Sequence, residues 1–218
     1  KANKSIAVTS IFSHLAASED SNERSFTQAQ IKQFKSITEH FKSLYGHSVL
    51  RHLCNTSGVI NFPEGQFDMV RCGIGIYGYD NTEDGKSKFM PVVALKTIIS
   101  QIHTIEKGQS VGYNRAFVAN QTKRIATLPI GHADGIGRQY GNGVGTVRVH
   151  GHNAPIVGNV CMDMIMIDVT EVDCEEGDEV VLFDKQTTAE AFAGNANTIS
   201  YELLTGISQR VKRKFITE

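Results

Sequence analysis

The periodicity of this chain changes once, near Pro91, and that change limits what the chain can fold into. Before it, apolar runs alternate with a helical pattern. Ile6 to Phe12 (IAVTSIF) is a continuous apolar run, as a strand covered on both faces presents. Ser25 and Gln28 form a capping-box pair. Ile31, Phe34, Ile37, Phe41 and Leu44 follow at helical spacing, and Gly46 stops the helix. SVLRHL (48–53) reads as a short strand, CNTSG as a loop, and MVRCGIGIYG (69–78) as another strand-like run. This order, β-α-β-x-β, belongs to a parallel α/β layer. After Pro91 the pattern is strand and turn: VALKTIISQIHTI, RIATLPIGHA, TVRVHG, APIVGNV, MIMIDV and DEVVLF are divided by KGQ, NG, GHN and EGDE. Two short helices are expected, near 187–193 and 197–206. The expectation is half of an α/β domain over 1–90 and an all-β domain over 91–218.

Composition removes several classes of function. A length of 218 residues suffices for a real core. A net charge of −1 gives no electrostatic reason to expect nucleic acid or a membrane surface as partner. Cys54, Cys72, Cys161 and Cys174 lie far apart without a C-x-x-C, which argues against a zinc ribbon or a secreted disulfide scaffold and for reduced thiols in the cytoplasm. No apolar run approaches the roughly 18 residues of a membrane helix. His40, His47, His103, His150 and His152 show no metal-ligand spacing. The chain opens at Lys1 without Met, so a missing targeting signal carries no weight.

Gly73, Gly75 and Gly78 in RCGIGIYGYD spell G-x-G-x-x-G. A dinucleotide fingerprint needs a helix directly after the glycines and an acidic residue about 20 positions on. Here YDNTEDGKSKFMP follows, turn-rich and closed by proline, so the dinucleotide reading fails. Glycines past a parallel strand also cradle other phosphates through backbone N–H groups, and in α/β barrels such sites lie after the last strands. Tight packing is the alternative, and pattern alone does not choose.

Seven stretches then resemble, in order and approximate spacing, the segments of alanine racemases: FSHLAASED, HLCNTSG, RCGIGIYG, GQSVGYNRAF, RIATLPIGHADGIGR, APIVGNVCMDMIMIDV and TISYELLTGISQRVKR. The resemblance covers nearly the whole chain. It implies a pyridoxal 5'-phosphate enzyme with an N-terminal (β/α)8 barrel, a C-terminal β domain, and active sites completed across a head-to-tail homodimer. Its reaction is the interconversion of L- and D-alanine, which supplies D-alanine for peptidoglycan. By the same resemblance, residues 1–90 are a partial (β/α)8 barrel, followed by the all-β C-terminal domain. Tyr113 matches a catalytic base that reaches the partner's cofactor, His14 the histidine hydrogen-bonded to it, and Arg71 the arginine facing the pyridine nitrogen. Thr56 stands where serine is frequent and, with Gly73, Ile74 and Tyr201, matches the phosphate site. Met162 and Asp163 match partner-supplied residues of the substrate carboxylate pocket. His52 and Asn55 match positions around the cofactor, and Arg138 an arginine near the substrate channel.

The chemistry suits these residue types. Racemisation needs a base on each face of the α-carbon. A phenol of pKa about 10 is a poor base at neutral pH unless cations or hydrogen bonds favour the phenolate, so His14 and Arg71 beside Tyr113 make sense. A guanidinium keeps its proton, so Arg71 would not protonate the ring as a carboxylate partner does. Plainer roles stand beside these. Tyr113 also suits a core or rim position, His14 a polar strand end, and Arg138 a surface salt bridge. Met162, Met164 and Met166 alternate, so part of that set packs one sheet face.

Three departures qualify the resemblance. The family's Schiff-base lysine opens a K-A-N-A-Y-G-H-G-like segment. Lys1-Ala2-Asn3 copies only its first letters, before a strand that already carries His14. A barrel takes about 250 residues and ninety are present, so the expectation is a C-terminal fragment that lacks the lysine and the other base, is inactive alone and exposes unpaired strand edges. His132 stands in GHADG where the family usually has tyrosine. Some family members are fused behind a Mur-type ligase. The competing readings are a non-catalytic β-domain interaction module and a fold-related pyridoxal-phosphate decarboxylase or racemase of other amino acids.

Overall fold

The computed structural model describes residues 5–80 and 89–216. Its contacts cluster in two units, Lys1–Pro91 and Val92–Glu218.

In the first unit, β1 (Ser10–Phe12), α1 (Arg24–Tyr45), β2 (Leu50–His52) and α2 (Thr56–Asn61) follow in order. β1 and β2 pair in parallel, with Ser10 opposite Leu50 and Phe12 opposite His52. Met69 bridges His52 in the parallel sense, so a third stretch runs beside β2. Ile31 and Phe34 carry the apolar face of α1 onto Leu15, Leu53, Cys54 and Phe62. Each such burial is worth roughly 1.5–3 kcal/mol. The helix ends as expected at Gly46, whose φ of 76° suits glycine and whose N–H donates to the Lys42 carbonyl (2.9 Å).

Four local expectations fail here, for identifiable reasons. The strand over 6–12 forms only at 10–12, and its faces are not covered: Ile6 and Phe12 are each 68% exposed. The capping box at Ser25 and Gln28 does not form. Asp20 starts the turn Ser21–Glu23 upstream, accepting from the Asn22 N–H (2.8 Å), and Ser25 lies inside α1. CNTSG is loop only as far as Asn55, which caps α2 by accepting from the Gly58 N–H (2.9 Å), and Thr56 to Gly58 are helical. The run 69–78 is a strand only at the Met69 bridge. It then winds into a 3-10 turn, Ile74–Tyr77, ended by Gly78 at φ 86°.

The second unit holds β3 (Leu95–Ile98), β4 (Gln101–Ile105), β5 (Ser110–Val111), β6 (Phe117–Val118), β7 (Lys123–Leu128), β8 (Thr146–Val149), β9 (His152–Val157), β10 (Ile165–Asp168) and β11 (Glu179–Phe183). The helices α3 (Ala189–Gly194) and α4 (Ser200–Gly206) follow, within a residue or three of their expected ends. Seven strands form one antiparallel sheet in the order β3-β11-β8-β9-β10-β7-β4. β3 and β4 hold opposite edges, yet only Ile99 and Ser100 separate them. Three peptide units reach at most about 11 Å, whereas a flat seven-stranded sheet spans roughly 29 Å. The sheet must therefore curl until its edges approach. The Ile99 N–H donates to the Asp178 carbonyl and the Ser100 N–H to Thr127, tying the corner to both sides (2.9 Å each).

Alternation fills the curl. Ala126, Leu128, Val147, Val149, Ala154, Ile156, Ile165 and Ile167 are fully buried, and the register sets Leu128 against Ile165 and Ile167 against Ile156. Phe192 of α3 stacks on Tyr140 (4.6 Å between ring centres). On the other face Ile125, Val157 and Met166 pack with Val111 and Phe117 of the β5–β6 ribbon. Met166 thus has the packing role expected of part of the methionine set, while Met162 and Met164 are exposed. No helix among the described residues is long and apolar enough to cross a membrane.

Candidate active site

Arg71 organises the end of the parallel strands in the first unit. Its Nη2 donates to the carbonyls of Ser13 (2.7 Å) and Leu53 (3.2 Å), and its Nη1 to that of His52 (3.1 Å). Ser13 and Leu53 lie just past β1 and β2, and His52 ends β2, its carbonyl also accepting from the Ser13 N–H (3.3 Å). The same group meets His52 Nδ1 at 2.8 Å and His14 Nδ1 at 3.3 Å. A guanidinium only donates, so both histidines accept at Nδ1 and carry their proton on Nε2. Phe12 stacks on His52 and lies 5.5 Å from the Arg71 guanidinium carbon, measured to its ring centre.

Next to this lies a corner of hydrogen-bond donors. Thr56 Oγ1 accepts from the N–H of Gly73 (3.1 Å) and of Gly75 (3.2 Å). Ile74 opens the 3-10 turn, so its N–H finds no partner within the turn. A side chain on Gly75 would sit 2.7 Å from Thr56 Cγ2, whereas one on Gly73 would meet open space. Asn55 Oδ1, already holding Gly58, also accepts from Ser18 Oγ (2.9 Å), which fixes the residue before Thr56. A hydroxyl and neutral N–H groups, with open space at Gly73, fit an oxyanion such as phosphate.

In the second unit Tyr113 sits at the tip of the β5–β6 ribbon and is 72% exposed. The tip is tightly wound: Gly112, Asn114 and Arg115 have φ of 79°, 58° and 50°. Asn159 Nδ2 donates to the Tyr113 carbonyl (3.1 Å), and Arg115 Nε to Ser110 Oγ (3.2 Å). A pocket of about 450 Å³ joins Gly112 and Tyr113 to Cys161, Met162, Asp163, Met164 and Met166. Asp163 is not free there. Its Oδ1 accepts from Arg210 Nη2 (2.7 Å), and Arg210 also grips Asp134 through Nε (2.7 Å) and Nη2 (3.0 Å). That grip, against the cost of burial, holds the Asp134 carboxyl below the usual carboxylate range.

The structure thus brings His14, His52, Asn55, Thr56, Arg71, Gly73 and Ile74 together in one unit, and Tyr113, Met162 and Asp163 in the other. Tyr201 lies on α4 of the second unit. Arg138 is exposed, and the surface salt bridge considered for it is absent among the described residues. His132 is exposed and lines a separate pocket of about 280 Å³ with Tyr140 and Glu202. The segment Lys1-Ala2-Asn3 lies outside the described residues. Sequence reasoning missed Arg210, Asp134 and Asn159. All three sit inside quoted motifs, but nothing in a one-dimensional pattern pairs Arg210 with a carboxylate 76 positions away.

Two family models cover the chain: alanine racemase, N-terminal domain, matches residues 1–81, and alanine racemase, C-terminal domain, matches 92–215. The chain belongs to the alanine racemase family. It is 39% identical to the alanine racemase of Halothermothrix orenii over 96% of this chain and 57% of that protein. It is 36% identical to alanine racemase 1 of Clostridium acetobutylicum over 97% of this chain and 56% of that protein. Among solved structures it resembles the Bartonella henselae alanine racemase with covalently bound pyridoxal phosphate, at TM-score 0.84 and 33% identity over 95% of this chain and 56% of that one. The alanine racemase of D-cycloserine-producing Streptomyces lavendulae superposes at TM-score 0.87 and 30% identity, over 97% and 57%. The chain therefore spans little more than half the length of the alanine racemases it matches.

Proposed function

We propose that this chain is the C-terminal portion of a pyridoxal-phosphate-dependent alanine racemase, which supplies D-alanine for peptidoglycan. The observation that carries this reading is one cluster, Arg71 with His14 and His52 beside the Thr56–Gly75 donor corner, in a chain of this family.

Pyridoxal phosphate supplies an electron sink that lets an α-proton leave. The Thr56 hydroxyl and the Ile74 N–H, beside the open space at Gly73, would hold its phosphate, while Asn55 and His52 brace the residues on either side. Arg71, having donors only, would hydrogen-bond the ring nitrogen without giving up a proton. Tyr113 takes or returns the α-proton at its phenolic oxygen on one face, and Met162 and Asp163 line the carboxylate end of the substrate pocket. Arg138 stands near the channel by which alanine arrives. Tyr113, Met162 and Asp163 serve the partner's site in a head-to-tail homodimer, which explains why a catalytic tyrosine projects from a ribbon tip at 72% exposure.

Residues 1–90 form the last part of a (β/α)8 barrel, and the uncovered faces of β1 are where its earlier strands belong. The lysine that carries the cofactor and the second base lie upstream of Lys1. Borohydride reduction of the longer protein with pyridoxal phosphate, followed by peptide mass spectrometry, tests this. One modified lysine upstream of residue 1 is the expected result. Stoichiometric labelling of Lys1 itself would overturn the fragment reading.

A further inference from the structure

We propose that Arg210 is a positioning residue, clamping the loop Cys161–Met164 in the shape that receives the substrate carboxylate. This rests on the reading of Met162 and Asp163 given above. The loop lies between β9 and β10 and pairs with no strand among the described residues. Its support is the turn Gly131–Asp134. The His132 N–H donates to the Cys161 carbonyl (2.9 Å) and the Ala133 N–H to that of Met162 (2.8 Å). Packing there is close enough that a side chain on Gly131 would lie 2.6–2.7 Å from Cys161 O, Met164 N and Met162 O.

That turn is in turn held by Asp134. Its Oδ2 accepts from the Gly131 N–H (2.8 Å), and its main-chain carbonyl from the Ser208 N–H (3.1 Å). Arg210 fastens both ends of the arrangement. One guanidinium grips Asp134 behind the loop, where the side chain is 10% exposed, and Asp163 on the loop itself, where it is 65% exposed. A planar fork can satisfy two carboxylates at once, which a lysine ammonium cannot do with the same geometry.

Charge gives the clamp a kinetic signature. Two carboxylates and one guanidinium leave one net negative charge in the cluster. Removing Arg210 leaves two, one of them in the pocket meant for a substrate carboxylate, and frees the Asp163 side chain. The loss falls on binding the carboxylate in ground and transition states alike, so KM rises while kcat holds.

The test uses Arg210→Gln and Arg210→Lys, each with and without Asp163→Asn. In this chain, exchange of the Cys161 amide and of the His132 and Ala133 amides that donate to the loop should accelerate about tenfold in Arg210→Gln, as local opening becomes easier. In the longer protein KM for alanine should rise about tenfold in Arg210→Gln and less in Arg210→Lys, with kcat within about threefold. Adding Asp163→Asn should bring much less than its separate effect, as for residues acting through one another. Unchanged exchange at Cys161, His132 and Ala133 in both Arg210 variants overturns the clamp, as do independent multiplicative effects on KM. If exchange responds but the wild-type longer protein does not racemise alanine, the clamp stands and the proposed function fails.

Discussion

Two residues separate chemistry from stability cleanly. Tyr113 projects from the ribbon tip, so Tyr113→Phe should leave the unfolding free energy of this chain within about 0.5 kcal/mol of wild type, checked by urea denaturation. Thr56 behaves oppositely. Its buried hydroxyl is the acceptor for two N–H groups. Thr56→Val keeps the shape and orphans both donors, at a cost of about 1–3 kcal/mol for each that finds no water. The same variant should weaken pyridoxal phosphate binding in the longer protein, read by cofactor titration. Asp68 gives a pH prediction. Hydrogen bonds from the Arg51 side chain (2.9 and 3.0 Å), then from its main-chain N–H (2.8 Å), hold the carboxyl down to about 2. A folded value below the unfolded one, about 3.9, stabilises the protein above pH 4, and this is lost as pH falls through about 2. Both side chains are partly exposed, so the contribution is at most about 1 kcal/mol. Acid titration of stability should show Asp68→Asn differing from wild type above pH 4 and converging with it near pH 2.

At the scale of elements, α1 shows what a pattern can and cannot say. Its apolar stripe and its glycine stop were legible, because helical spacing and a left-handed cap leave signatures in the sequence. Its start was not, because Asp20 and Ser25 both suit a cap and only the preceding 3-10 turn favours Asp20. The stripe also hides a difference in depth: Phe34 is 4% exposed and meets Phe67 edge-on, whereas Ile37 is 53% exposed. Phe34→Ala should therefore destabilise the first unit by about 3–5 kcal/mol and Ile37→Ala by less than about 1 kcal/mol, by denaturant unfolding of this chain. Equal costs would contradict the assignment of the core. The run 69–78 misled for a related reason. Apolar residues between glycines suit a strand, but Gly73, Gly75 and Gly78 also permit the tight turn that brings two N–H groups to Thr56.

At the scale of the whole molecule, the strand-and-turn texture after Pro91 announced an all-β domain but neither its strand order nor its curl. The curl follows from long-range pairing, β3 with β11 and β4 with β7, which no local pattern encodes. The candidate site was legible through resemblance rather than periodicity. Tyr113 and Arg71 look like ordinary residues until the motifs around them are placed in order, and the Arg210 bridge joins residues 47 and 76 positions apart, which no local pattern encodes. One measurement bears most directly on the account: interconversion of L- and D-alanine by the longer protein with pyridoxal phosphate, for wild type and for Tyr113→Phe. The wild type should racemise alanine, and the variant should do so at a rate lower by about 10²–10⁴-fold with cofactor still bound. A wild type that leaves alanine unchanged, or a variant as active as wild type, would contradict it.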